Sequence, residues 1–228
     1  MIHLTYYGHS CFSVEIEEKT ILFDPYITAN PLASHIDVKS IKPDYIFITH
    51  GHEDHVADVE LFAKQSGAKV VANFEIAQWF IQKGLEGVLA LNHGGALDLP
   101  FGKVKYVYAF HSSTLPDGSN GGHPGGYVVQ SKLGTFYYAG DTALSYEMKM
   151  IKEFFNVDFA VLPIGGTFTM DASDAAICAE WVGTKRVVGV HYDTFEPIKI
   201  DQAAAKAPFI ARGYQLMLPD IGETLPMQ

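Results

Sequence analysis

The sequence predicts an α/β fold built as a four-layer αββα sandwich, and three features point to it. Strand-type and helix-type runs alternate in the first and last parts of the chain, the centre is rich in β-type segments, and 48% of the 228 residues are apolar. Two packed sheets with helices outside accommodate that order, although periodicity alone leaves a three-layer α/β arrangement open. The apolar share is enough to bury one sizeable core at this length. The 21 glycines and 11 prolines are dispersed, with no linker, low-complexity segment or repeat, so 1–228 reads as a single domain.

The elements follow from local pattern. Short β-type runs open the chain at 3–7, 12–16 and 20–23, and the continuous apolar stretch at 45–48 is the signature of a strand buried on both faces. Val56, Val59, Leu61, Phe62 and Ala63 recur at helical spacing until Ser66 and Gly67 end the run. A strand at 69–72 and a helix at 74–83, closed by Gly84, come next. Alternation at 104–108, 127–129 and 135–138, punctuated by glycine-rich turns, predicts hairpins. Strands at 158–162, 186–190 and 214–218 then alternate with helices at 172–182 and 202–211.

Sixteen basic against 26 acidic residues give a net charge of -10, which opposes binding to a phosphate backbone and excludes nucleic acid as the expected partner. The N-terminus has no basic segment followed by an apolar run, and no stretch is long and apolar enough to span a bilayer, so neither secretion nor a membrane is expected. Cys11 and Cys178 lie among apolar neighbours without metal or redox spacing, which predicts buried thiols in the cytoplasm. A small-molecule substrate is the expected partner. A symmetric homo-oligomer is the common default, and nothing in the sequence overrides it.

The chemistry concentrates where the buried 45–48 strand ends, in His50-Gly51-His52-Glu53-Asp54-His55. Three imidazoles and two carboxylates within six positions have no packing reason to sit at the end of a core strand, and they are ligand types that borderline divalent metals accept. His50 and His52, two apart, can face one side, while Asp54 and His55 fall where the next helix begins. One segment cannot fill two coordination spheres. Three further metal-competent residues stand at the ends of apolar runs: His111 after Val107 to Phe110, Asp141 after Tyr137 to Gly140, and His191 after Val187 to Val190.

The segment matches the HxHxDH signature of the metallo-β-lactamase superfamily, and His111, Asp141 and His191 fall in the order of its later motifs. Gly8 to Phe12, Phe23-Asp24-Pro25, Gly140-Asp141-Thr142 and His191 to Phe195 resemble the small metal-dependent hydrolase branch related to L-ascorbate-6-phosphate lactonase. The resemblance implies the αββα sandwich with its site at one edge of the two sheets. It implies two divalent transition-metal ions, zinc first and manganese, nickel or iron as alternatives. His50, His52 and His111 would hold one ion, Asp54, His55 and His191 the other, and Asp141 would bridge them. Two such ions with two carboxylates and one hydroxide leave about +1, which depresses the pKa of bridging water toward ~7 and supplies the nucleophile. Asp141 and Asp54 are then the catalytic carboxylates, Asp54 serving as general base if the centre holds a single ion.

Several other residues fall near these motifs. Asp24 is expected to orient a ligand imidazole through a hydrogen bond. His9, His123, Tyr192 and Thr194 are candidate substrate contacts, and Phe168, Met170 and Phe195 are candidates for an apolar cleft wall, although aromatics and methionine are more often core. Gly165-Gly166 lacks the Lys-Ser/Thr pair of a phosphate loop. The resulting expectation is a metal-dependent hydrolase acting on a small ester, lactone, amide or phosphodiester. An iron-dependent redox enzyme, with oxygen or persulfide chemistry, and a ribonuclease are the alternatives on the same scaffold.

Overall fold

In the computed structural model, which describes residues 1–227, the chain opens with an antiparallel meander of β1 (His3–Gly8), β2 (Cys11–Ile16) and β3 (Lys19–Phe23). β4 (Tyr45–Phe47), β5 (Lys69–Asn73) and β6 (Val88–Leu91) extend this sheet in parallel. Parallel neighbours need crossovers, and helices supply them: α1 (Glu53–Val56) and α2 (Val59–Ser66) lie between β4 and β5, and α3 (Phe74–Gln82) between β5 and β6. The chain then passes into a second sheet.

That sheet mirrors the first. β7 (Ala96–Leu99), β8 (Gly102–Tyr108), β9 (Gly125–Ser131) and β10 (Gly134–Tyr138) pair antiparallel. α4 (Met148–Phe154), α5 (Ala172–Val182) and α6 (Gln202–Ile210) then lead into β11 (Phe159–Pro163), β12 (Arg186–Val190) and β13 (Gln215–Met217), which add in parallel. Finally β14 (Thr224–Pro226) returns to pair with β1, giving two seven-stranded sheets.

Strand periodicity explains why the sheets stack. Ile21 and Phe23 of β3 and Tyr45 and Phe47 of β4 point into the core between the sheets, whereas Leu22 and Ile46 face α2 and α3 on the outside. Phe12, Phe23, Phe47, Tyr127 and Tyr138 interlock across the interface with ring centroids 4.7–6.3 Å apart. Helices cover both outer faces, so the αββα arrangement is the one observed, and the three-layer alternative falls away.

Several boundaries differ from the sequence pattern. The helical run from Val56 to Ser66 breaks at Ala57-Asp58, because the Asp58 carboxylate turns back to accept from the backbone of Ile27 and Thr28 at 2.6 and 2.9 Å. β6, β7, β14 and α4 had no clear signal: β6 and β7 are half-exposed, and β14 exists only through its register with β1. Cys11 and Cys178 are free and buried, as expected. Among the described residues no helix is long and apolar enough to cross a membrane.

Candidate metal centre

Both sheets deliver metal-competent residues to the same edge. Beyond β4, Ile48 donates to Val71 O at 3.0 Å and Thr49 donates to Asp24, after which the chain turns through His50-Gly51-His52 into α1. Gly51 lies close against the neighbouring loop, where a Cβ would meet the Leu115 side chain at 3.1 Å and push it aside. Its N–H donates to Ser113 Oγ at 3.0 Å, which ties the loop carrying His111 to the motif. From the second sheet, β10 ends at Tyr138, and two residues on Gly140, with φ +64°, redirects the chain into Asp141. A Cβ on Gly140 would press on Gly125 O at 2.7 Å and Thr49 Cβ at 2.8 Å. His191 follows β12 with φ +57° and donates its N–H to His9 O at 2.8 Å. His9 and Asp24 are also left-handed, at +55° and +41°. Strained non-glycine backbone of this kind costs ~1–3 kcal/mol per residue and concentrates at functional sites.

The side chains converge on Asp141. Its Oδ2 lies 3.0 Å from His191 Nε2, 3.3 Å from His55 Nε2, 3.7 Å from His111 Nε2 and 3.8 Å from His50 Nε2. His50 Nε2 and His52 Nδ1 stand 2.9 Å apart, and Asp54 Oδ2 is 4.0 Å from His55 Nε2. His50 and His55 are fully buried and Asp141 and His191 nearly so, whereas Asp54 is 25% and His111 13% exposed. Access to the centre is therefore from the side of His52, Asp54 and His111.

Hydrogen bonds behind the cluster fix how the imidazoles present themselves. Asp24 Oδ2 accepts from His55 Nδ1 at 2.9 Å, from Tyr138 OH at 2.6 Å and from Thr49 Oγ1 at 2.7 Å. The Thr49 hydroxyl proton is thus committed to Asp24, so at 3.0 Å its oxygen accepts from His50 Nδ1. A single carboxylate therefore turns the Nε2 of both His50 and His55 toward the centre, one directly and one through Thr49. Ser112 Oγ, 3.3 Å from His52 Nε2, leaves His52 Nδ1 facing inward.

The donor set fits a cation. Tetrahedral ligands bonded at ~2.0–2.1 Å stand ~3.3 Å apart, and the separations here, 2.9 to 4.0 Å, bracket that value. His55 Nε2 and Asp141 Oδ1 are buried without a hydrogen-bond partner. Burial and the neighbouring His55 hold the His50 pKa well below its ordinary range, and burial likewise lowers those of His52 and His111, so these stay neutral as ligation requires. Burial opposes ionisation of Asp141, but His191 and His55 keep its carboxyl well below the usual carboxylate range. Burial also disfavours a charged His55, yet Asp141, Asp24 and Asp54 raise its pKa well above the ordinary value. The proton on His55 thus occupies a position that a cation can take over.

The remaining sequence candidates divide. His9 is fully buried, and its Nε2 donates to Asp54 Oδ2 at 3.0 Å while Nδ1 meets Thr194 Oγ1 at 3.0 Å. Burial lowers its pKa to about 4, so it is a neutral residue that positions Asp54 rather than a group facing substrate. Thr194 is likewise engaged, by His9 and by Tyr192 O. Tyr192 turns into the core and stacks on Tyr6 at 6.3 Å, away from any substrate. His123 is exposed and lies 6.3 Å from the His93 ring, with no bond to the cluster among the described residues. Met170 is core, whereas Phe168 and Phe195 are exposed. Tyr138, Thr49 and Ser113 read as ordinary strand and loop residues, and no local signal marks them.

A family model described as the beta-lactamase superfamily domain matches residues 3–191. The chain belongs to the metallo-β-lactamase superfamily. Within it, the chain is 47% identical over 225 residues to a UPF0173 metal-dependent hydrolase of Christiangramia forsetii, covering 98% of this chain and 99% of that protein. It is 49% identical over 220 residues to the same family's member in Methylacidiphilum infernorum, covering 96% and 97%. Among solved structures, the metallo hydrolase Igni18 of Ignicoccus hospitalis superposes with a TM-score of 0.90 at 35% identity, over 98% of this chain and 97% of that one. This superfamily member is thus a metal-dependent hydrolase by family, with a His/Asp cluster able to bind metal.

Proposed function

We propose that the centre holds two divalent ions, zinc first, and hydrolyses a small ester, lactone, amide or phosphodiester. His50, His52 and His111 would hold one ion, Asp54, His55 and His191 the other, with Asp141 between them. The observation that carries this reading is the Asp141 Oδ2 atom, which lies within 3.8 Å of four imidazole Nε2 atoms supplied by both sheets. When bound, the ions supply Lewis acidity, polarising the carbonyl or phosphoryl oxygen and lowering the pKa of water.

The chain's own residues hold that arrangement. Asp24 and Thr49 present the His50 and His55 nitrogens, and His9 keeps the Asp54 carboxylate aimed inward. Asp54, a quarter exposed, is held ionised against burial by His55 and His9, as a ligand carboxylate must be, and would be free to take a proton only in a centre holding a single ion. The net charge of -10 supports a small-molecule substrate over nucleic acid, and the two free buried thiols support a cytoplasmic setting.

Elemental analysis of purified protein tests the reading, beside a panel of chromogenic esters, lactones and phosphodiesters. Two metal equivalents are expected, with His52→Ala and Asp141→Ala losing metal and turnover together. Full metal content and full activity in either variant refute it.

A further inference from the structure

Three of the five exposed phenylalanines lie on segments that adjoin the metal centre: Phe110 at 62%, Phe168 at 55% and Phe195 at 36% exposure. Phe110 immediately precedes His111, its N–H donates to Thr142 Oγ1 at 2.9 Å, and Ala143 N donates to its carbonyl at 3.1 Å. The strand-end loop after Asp141 therefore carries Phe110 beside it. Thr142 O in turn accepts from Met170 N at 2.9 Å, which docks the 165–170 loop bearing Phe168. Thr167 Oγ1 donates to Pro197 O at 2.8 Å, joining that loop to the segment bearing Phe195. The Phe195 ring packs edge-on 5.3 Å from His9, behind Asp54. Three exposed rings thus follow a continuous set of hydrogen-bonded segments that lead from His111 past Asp141 to His9.

Charge at this edge has the opposite character from a phosphate site. Among the described residues no lysine or arginine pairs with any of the seven cluster residues or with Asp24. Lys19, Lys69 and Arg186 begin β3, β5 and β12, at the far ends of the sheets. Lys199, close in sequence to Phe195, pairs on the surface with Glu196 at 2.5 Å rather than with the cluster. None of these ion pairs brings a cation to the cluster itself, where recognition of a substrate phosphate by Lys or Arg would want one. Exposed aromatics around a few convergent polar groups are instead the composition of a small-molecule site for apolar groups.

We propose that the centre acts on an uncharged carbonyl compound, an ester, lactone or amide, whose aryl or alkyl substituent packs on Phe110, Phe168 and Phe195. This rests on the hydrolase reading above and narrows its substrate, setting the chain apart from enzymes of phosphorylated lactones.

Hydroxamates separate the two questions, because their head binds metal without turnover. Calorimetric titration of metal-loaded protein with acetohydroxamate, benzohydroxamate and phosphonoacetohydroxamate is the test. Benzohydroxamate is expected to bind about tenfold tighter than acetohydroxamate, the size given by half-burying a phenyl ring. Phosphonoacetohydroxamate is expected to bind weakest. The ratio of the first two should fall to within about threefold in Phe110→Ser/Phe168→Ser/Phe195→Ser and stay near tenfold in Phe154→Ser, whose exposed ring ends α4. Equal binding of the first two, a ratio unchanged in the triple variant, or tightest binding of the phosphonate overturns the aromatic subsite and leaves the metal centre standing. Failure of all three to bind protein of measured metal content overturns both. A wild-type dimer that the triple variant converts to monomer assigns the rim to a second copy of the chain and overturns the proposal.

Discussion

Replacing Asp24 by Asn tests whether one carboxylate sets both inner imidazoles. Asp24 Oδ2 accepts three hydrogen bonds at 2.6–2.9 Å and Oδ1 accepts a fourth from Thr49 N at 2.8 Å, all without solvent. An Asn amide must oppose either the three donors or the Thr49 N–H. The milder orientation leaves one buried donor unsatisfied, at ~1–3 kcal/mol, and roughly halves the strength of the other three bonds by removing the charge, for a total of ~3–5 kcal/mol. For a chain of this size that lowers Tm by about 10 °C. The imidazoles lose their imposed tautomers at the same time, and metal affinity should fall about 10–100-fold. Tyr138→Phe is the matched control, because it removes one donor to Asp24 and touches neither imidazole: ~1–2 kcal/mol of stability goes, and affinity stays within about threefold. Thermal unfolding and competitive chelator titration of both variants read the two effects separately. Wild-type metal affinity in Asp24→Asn would refute the argument, since the tautomers would then be set elsewhere.

Other outcomes follow from the same geometry. Burial lowers the His9 pKa to about 4 against ~6.5 unfolded, so the unfolded chain binds a proton that the folded chain refuses. Chelator-treated protein should therefore lose up to ~3 kcal/mol as pH falls from about 6.5 to 4, and His9→Asn should flatten that part of the profile; parallel Tm curves for the two proteins would count against it. Gly140→Ala puts a Cβ 2.7 Å from Gly125 O at positive φ and should cost ~2–4 kcal/mol while displacing Asp141, seen as weaker metal binding; a Tm within 2 °C of wild type contradicts this. Saturating metal at about 1,000 times its Kd should raise stability by ~4 kcal/mol in calorimetry, and no Tm change on chelation would deny the centre its cation.

The strands of the inner layers were legible as short apolar runs, continuous at 45–48 because both faces are buried, whereas the inward direction of Ile21, Phe23, Tyr45 and Phe47 comes from the structure. The seven cluster residues were legible for a related reason, since a polar, metal-competent side chain just beyond an apolar run leaves the core at a strand end. The half-exposed β6 and β7 carried no such contrast, and β14 is held by β1 alone. Tyr192 shows the limit of adjacency, because it follows His191 directly yet turns into the core: His191 is left-handed, and its side chain and that of Tyr192 leave on opposite sides.

The sequence by itself determined which residue types can bind metal, which apolar runs they follow, and that strand and helix runs flank a β-rich centre. Only the tertiary structure decided how they meet: that β4 and β10 end at one edge, bringing His50 within 3.8 Å of Asp141, that Asp24 governs two histidines through Thr49, and that His9 belongs to Asp54. The physical reason is range. Strand and turn preferences act over a few residues and are written locally, whereas hydrogen-bond direction and burial at the centre depend on atoms more than a hundred positions apart, as Asp24 and Tyr138 are, and arise only when the two sheets close on each other.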